Sequence, residues 1–164
     1  MNLSFWMLSS QSLSVVPAGQ VATVGHKDKR PFRALAAAAE RCMRDFNSQD
    51  LANTAWAFAA VSHKDERLFT ALAATAERRV RDFNSQALAN TAWAFATVGR
   101  KDERLFTALA ATAEWRMRDF NSQELVNTAW AFAEVGKKEK RLFTALAAAA
   151  KRCMNNFDSQ ALRK

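Results

Sequence analysis

Asn121-Ser122-Gln123-Glu124-Leu125-Val126-Asn127-Thr128-Ala129-Trp130-Ala131-Phe132-Ala133 is one of three near-copies of the same string. The others run from Asn84 to Ala96 and from Asn47 to Ala59. Trp56, Trp93 and Trp130 are 37 residues apart, as are Phe46, Phe83, Phe120 and Phe157. A fixed period of this size marks stacked repeats, in which each unit buries its apolar face against its neighbours.

Each copy reads as two helices. Asn84 is a suitable N-cap, because its side-chain oxygen can accept from unpaired amides of the first turn. Gly99 and Gly136 supply the left-handed stop that ends a helix. Helix A is thus expected at about 85–98. The loop Gly99-Arg100-Lys101 leads to Asp102, the N-cap of helix B, which runs from Glu103 to about Arg118. Phe106, Leu109, Ala110 and Ala113 recur at helical spacing and mark its buried stripe. The composition agrees, with four Gly, two Pro, no Tyr and abundant alanine, the best helix former. These features predict an all-α protein, a right-handed α-solenoid of helix-turn-helix repeats with a 37-residue period.

The register fixes the expected organisation. Residues 1–27 form a degenerate N-terminal segment, open to disorder. Ala22-Thr23-Val24-Gly25 matches Ala96-Thr97-Val98-Gly99, but Pro17 and Gly19 replace Thr91 and Trp93. Proline costs a helix interior about 3 kcal/mol, so the first helix of that copy is broken or absent. The solenoid proper is expected over 28–164. It comprises helix B of a partial repeat (28–45), full repeats 46–82, 83–119 and 120–156, and a truncated repeat 157–164. The first two full repeats differ at six of 37 positions. Phe157-Asp158-Ser159-Gln160-Ala161-Leu162 begins a further copy, as expected of a fragment or an incomplete gene model.

Helix A has two faces at about 100° per residue. Leu88, Ala92 and Phe95 share the core side. Ala87, Asn90, Ala94 and Thr97 share the other, with Trp93 at its flank. Across the repeats the outer face reads Asp50, Asn53, Ala60, then Ala87, Asn90, Thr97, then Glu124, Asn127, Glu134. The first and last of each set vary around a constant Asn. That pattern suits a modular reader, and it equally suits solvent positions that drift. Each Trp could stack on a base. Packing on the next repeat is the favoured reading, since a Trp at a helical flank commonly fills a junction.

The net charge is +8 and the pI about 10.1. Basic residues recur with the period. The A–B loops carry Lys64 and Arg67, then Arg100, Lys101 and Arg104, then Lys137, Lys138, Lys140 and Arg141. A second set closes helix B, including Arg78, Arg79 and Arg81, then Arg116 and Arg118. Stacked, they form two stripes of the kind that holds a phosphate backbone. Against this, the repeat 46–82 carries five basic and five acidic residues, and cations late in a helix also suit its dipole.

Catalysis is not expected. The chain has no Gly-rich phosphate loop, no clustered His/Cys/carboxylate set and no Ser/His/Asp arrangement. His26 and His63 occupy loop positions taken later by Arg100 and Lys137 and read as solvated basic residues. No cofactor or metal is implied. Cys42 and Cys153 stand 111 residues apart, three periods, so a solenoid keeps them separate and reduced. No apolar run is long enough to span a membrane. The first 25 residues carry no charged side chain, unlike a signal or transit peptide.

The string Phe120-Asn121-Ser122-Gln123-Glu124-Leu125-Val126-Asn127-Thr128-Ala129-Trp130-Ala131-Phe132-Ala133, closed by Val135-Gly136, resembles the octotricopeptide repeat. The resemblance covers about residues 28–162 and rests on the Gln, Leu, Asn, Trp and Gly positions together. It implies an α-solenoid that binds single-stranded RNA, usually transcripts of the mitochondrion or chloroplast, and supports their stability, processing or translation. The repeats are similar to the helical arrays of RAP-domain and FAST-kinase-like RNA-binding proteins. Two departures stand out. The family's Pro-Pro-Pro-Glu-Trp start to helix B is Lys101-Asp102-Glu103-Arg104-Leu105 here, and these 164 residues contain no RAP domain. The leading expectation is therefore single-stranded RNA as partner, with the variable helix A positions facing bases and the loop cations facing phosphates. A protein-interaction scaffold is the alternative, and a non-autonomous piece of a larger repeat protein a third. Neither a membrane nor a small-molecule substrate is expected as partner.

Overall fold

The computed structural model describes residues 30–161, with side chains described through Met154. All regular structure among them is helical. The elements are α1 (Arg30–Cys42), α2 (Ser48–Ala60), α3 (Glu66–Arg79), a 3₁₀ turn (Val80–Asp82), α4 (Ser85–Thr97), α5 (Glu103–Trp115), α6 (Ser122–Glu134) and α7 (Lys140–Ala161). Helices α2, α4 and α6 are the A helices; α1, α3, α5 and α7 are the B helices. The expected segment 1–27 lies outside the described residues.

Local chemistry sets the helix boundaries. Asn84 Oδ1 accepts from Ala87 N at 2.8 Å, and Asp102 Oδ1 from Leu105 N at 3.0 Å. Asn47 and Asn121 go further and form capping boxes with Asp50 and Glu124. At the far end Gly99 and Gly136 adopt φ of 75° and 73°. Arg100 N then reaches back to Phe95 O at 2.9 Å and Gly99 N to Ala96 O at 2.9 Å, the two bonds of a Schellman motif. Ser62 occupies the same place in the first repeat with φ 54°.

The helices form two layers. Successive A helices approach each other closely, α2 on α4 and α4 on α6, while successive B helices touch less. Alanine permits this. Ala52, Ala59, Ala87, Ala89, Ala94 and Ala131 are all fully buried in the A layer. Between layers, Phe69 meets Phe95 edge-on at 5.2 Å, and Phe106 meets Phe132 at 5.2 Å. Each joins the B helix of one repeat to the A helix of the next. Leu88, Ala92 and Phe95, expected in the core, are buried there.

Two expectations need correction. Ala87 and Ala94 do not face outward; both are fully buried. A reading with one core face and one free face fails, because an interior A helix is flanked on both sides by other A helices and backed by the B layer. Only a narrow strip of α4 stays open. The second correction concerns 157–161, which continue α7 instead of opening a new helix. In the two preceding repeats an ion pair spans the turn after helix B, Arg79 with Asp82 and Arg116 with Asp119. The corresponding residues of the fourth copy are Cys153 and Asn156, which cannot make that pair.

Candidate nucleic-acid interface

The open strip of the A layer is built from four rows. Gln49, Gln86 and Gln123 form the first, and Asn53, Asn90 and Asn127 the second. Trp56, Trp93 and Trp130 form the third, and Ala60, Thr97 and Glu134 the fourth. Spacings of three and four residues put these side chains on one helical face. All twelve are exposed or half-buried.

The first two rows are joined. Gln49 Nε2 donates to Asn53 Oδ1 at 3.0 Å, and Gln123 Nε2 to Asn127 Oδ1 at 2.9 Å. Gln86 and Asn90 stand at the same spacing in α4. The Trp row forms a ladder. Trp56 and Trp93 have ring centroids 6.3 Å apart at 33°, and Trp93 and Trp130 6.4 Å at 37°. A base inserted between two rings needs parallel planes about 6.8 Å apart, twice the stacking rise of about 3.4 Å. The indoles are too close and too tilted for that. They pack on one another across the repeat junctions, the favoured reading of the sequence, and stay half-buried.

The predicted base-facing residues separate on this map. Asn53 and Glu134 are exposed; Asn90, Asn127, Ala60 and Thr97 are half-buried on the strip. Asp50 and Glu124 lie off it, each engaged in a capping box. Asp50 Oδ2 accepts from Asn47 N at 3.0 Å and Glu124 Oε2 from Asn121 N at 2.9 Å. Ala87 is buried between A helices and cannot face a ligand. The Gln row was missing from the sequence reading. Its signal was present, a Gln kept four residues before each constant Asn.

The loop cations also divide. Lys137 Nζ bonds Glu103 Oε1 of the preceding repeat at 2.5 Å. This bond and the ammonium charge hold the Glu103 carboxyl below its ordinary value. Arg100 reaches Thr70 Oγ1 at 2.9 Å and approaches Glu66 at 4.0 Å. His63, in the same loop place, is no solvated base. Its ring stacks on Phe32 at 5.4 Å and meets Phe58 at 5.7 Å. These three side chains fasten repeat to repeat. Lys64, Lys101, Arg104, Lys138, Lys140 and Arg141 are exposed. Arg67 is 89% exposed, with only a 3.9 Å approach to Glu40. At the other edge Arg79 donates to the Phe46 carbonyl and Arg116 to the Arg81 carbonyl. Arg44, Arg81, Arg118 and Lys151 are exposed there.

Such a surface can offer amide donors and acceptors, aromatic edges and flanking positive charge. Among the described residues, no group of His, Cys, Asp and Glu could hold a metal ion. Cys42 and Cys153 are free thiols, and no helix there is long and apolar enough to cross a membrane. The family model described as RNA-editing substrate-binding complex 6 protein matches residues 1–164. The chain belongs to that family. No curated protein matches it. The helical-repeat architecture expected from the sequence stands, and the family shown is this one.

Proposed function

We propose that the chain binds single-stranded RNA along the open strip of its A layer, as a component of an RNA-editing substrate-binding complex. The observation that carries this reading is the unbroken run of amides and indoles across α2, α4 and α6, lying between two edges that carry exposed cations. Family membership supports a role in RNA editing. In this reading the chain works by binding and not by catalysis. Of the two organelles implied by the repeat resemblance, the mitochondrion agrees with the family and the chloroplast has no support.

The test is fluorescence anisotropy with a labelled single-stranded RNA at rising salt. Affinity should fall with salt because counterions released on binding gain less entropy in a more concentrated solution, with log K falling by about 0.7 per contacted phosphate for each unit of log salt. Absence of binding at low salt would sink the reading.

One observation favours a protein partner as well. Val126 is 54% exposed and Met154 67% exposed. Their counterparts Ala52 and Ala89, and Met43, Val80 and Met117, are buried. Val126 on α6 and Met154 on α7 are therefore apolar side chains left exposed at positions buried in the other copies. If the strip binds no RNA, these two positions become the leading sites.

A further inference from the structure

We propose that each Gln–Asn pair of the strip is a contact for the Watson–Crick edge of an unpaired base, so that the protein selects single-stranded over duplex nucleic acid through its amides. The inference rests on the RNA-binding reading above. A primary amide has a carbonyl and an NH₂ group. In the bonded pairs one NH of Gln49 or Gln123 and one lone pair of Asn53 or Asn127 satisfy each other. What remains includes a Gln carbonyl beside an Asn NH₂, with the second Gln N–H and the second Asn lone pair also unused. If both amides are turned over, an Asn carbonyl lies beside a Gln NH₂, and the outward chemistry is the same. Each bonded pair therefore presents an acceptor next to a donor, held in place by the bond between them, and Gln86 and Asn90 stand at the same spacing.

The complementary ligand is an edge with a donor next to an acceptor. Every base has one on its Watson–Crick side. Adenine and cytosine offer an exocyclic amine beside a ring nitrogen, guanine and uracil a ring N–H beside a carbonyl. In a duplex that edge is consumed by pairing, whereas in a single strand it is open to amides. The constant pairs thus sense whether a base is unpaired without sensing which base it is. The fourth row is the only one of the strip that varies, Ala60, Thr97 and Glu134, but the Thr97 hydroxyl is itself buried. The half-buried Trp row beside the pairs adds apolar surface.

The bland role of such a pair is to brace its own helix, a small effect for residues four apart. The two roles separate in one experiment. The triple variant Gln49→Met/Gln86→Met/Gln123→Met keeps side-chain length and removes the amides. Wild type and variant are titrated with a labelled single-stranded RNA, the same length of abasic strand, and a fully paired RNA duplex. Circular dichroism melts check that both remain folded. As a second variant, Gln123→Met alone tests one pair if the triple variant unfolds.

Wild type should prefer the single strand over both the duplex and the abasic strand. The variants should lose that preference by about tenfold for each pair, the worth of a good two-point base contact, with the salt slope unchanged. If wild type binds RNA and the folded variants keep the preference, the amide pairs are helix braces only and the inference is overturned. If wild type binds no RNA, the RNA-binding reading falls, and this inference falls with it.

Discussion

Ser62 stands where the next two repeats place glycine, and it shares their left-handed backbone at φ 54°. For an L-residue that conformation costs about 1–2 kcal/mol. At Gly99 no atom lies within 4 Å of where a Cβ would be, so an added methyl meets only the backbone penalty. Ser62→Gly should therefore stabilise the protein by roughly 1 kcal/mol and Gly99→Ala destabilise it by a similar amount, both read from thermal melts. If the two substitutions shift the melting temperature in the same direction, the left-handed stop is not what sets their energies. Ala87 tests packing in the same way. It is fully buried between A helices, and overpacking such a site costs typically about 1–3 kcal/mol. Ala87→Leu should lower stability by that order in urea melts. A neutral result would mean that Ala87 faces solvent, as the helical wheel alone suggested. The wheel misled here because it sees one helix at a time. The burial of Ala87 and Ala94 comes from neighbouring A helices, which amphipathicity does not encode. Asn84, Asp102, Gly99 and Gly136 were legible because caps and stops act within one turn of the chain.

At the scale of the helix the two layers serve different ends. B helices carry the large apolar side chains, Phe69, Leu72, Phe106 and Leu109, that fill the space behind the A layer. A helices are alanine-rich, so they approach closely and bring their outer rows into register. The rows therefore exist because the junctions are small. This also explains which part of the site was legible. Asn53, Asn90 and Asn127 stood out as constant polar residues on a helix whose core face was clear. Asp50 and Glu124 stood out equally, but their carboxylates close the first turn, a local use that competes with any ligand. The Trp ladder makes the row continuous, and its energetics differ along the stack. Trp93 has a ring partner on each side, whereas Trp56 and Trp130 are each paired with Trp93. An aromatic pair contributes about 0.5–1.5 kcal/mol beyond its area. Trp93→Ala should thus cost more than Trp56→Ala by about that amount, measured by urea denaturation. Equal losses would mean that the indoles are held by the core alone and that the ladder is coincidental.

Across the whole molecule, charge separates from shape. The net +8 suggested two basic stripes, yet part of each stripe is structural. Lys137 bonds Glu103, Arg100 bonds Thr70, and Arg116 bonds a main-chain carbonyl. No sequence pattern distinguishes these from their neighbours, because their partners lie 30 or more residues away in the preceding repeat. The exposed remainder includes Lys64, Lys101 and Lys138, one in the same place of each A–B loop. If these three meet phosphates, each contributes about 0.7 to the dependence of log K on log salt. The variant Lys64→Ala/Lys101→Ala/Lys138→Ala should then reduce the salt slope for single-stranded RNA by about 2. It should leave the preference for single strand over duplex intact, since that preference is assigned to the strip. Its melting temperature should barely move, because none of the three is buried. The variant Lys137→Ala makes the opposite contrast. Its ammonium is already committed to Glu103, so it should disturb the junction between repeats with little effect on the salt slope. Anisotropy titrations at several salt concentrations, alongside melts of both variants, separate the two classes of cation. Equal salt slopes for the triple variant and the unaltered protein would place the RNA backbone elsewhere, with the cations that end the B helices the next to be tested.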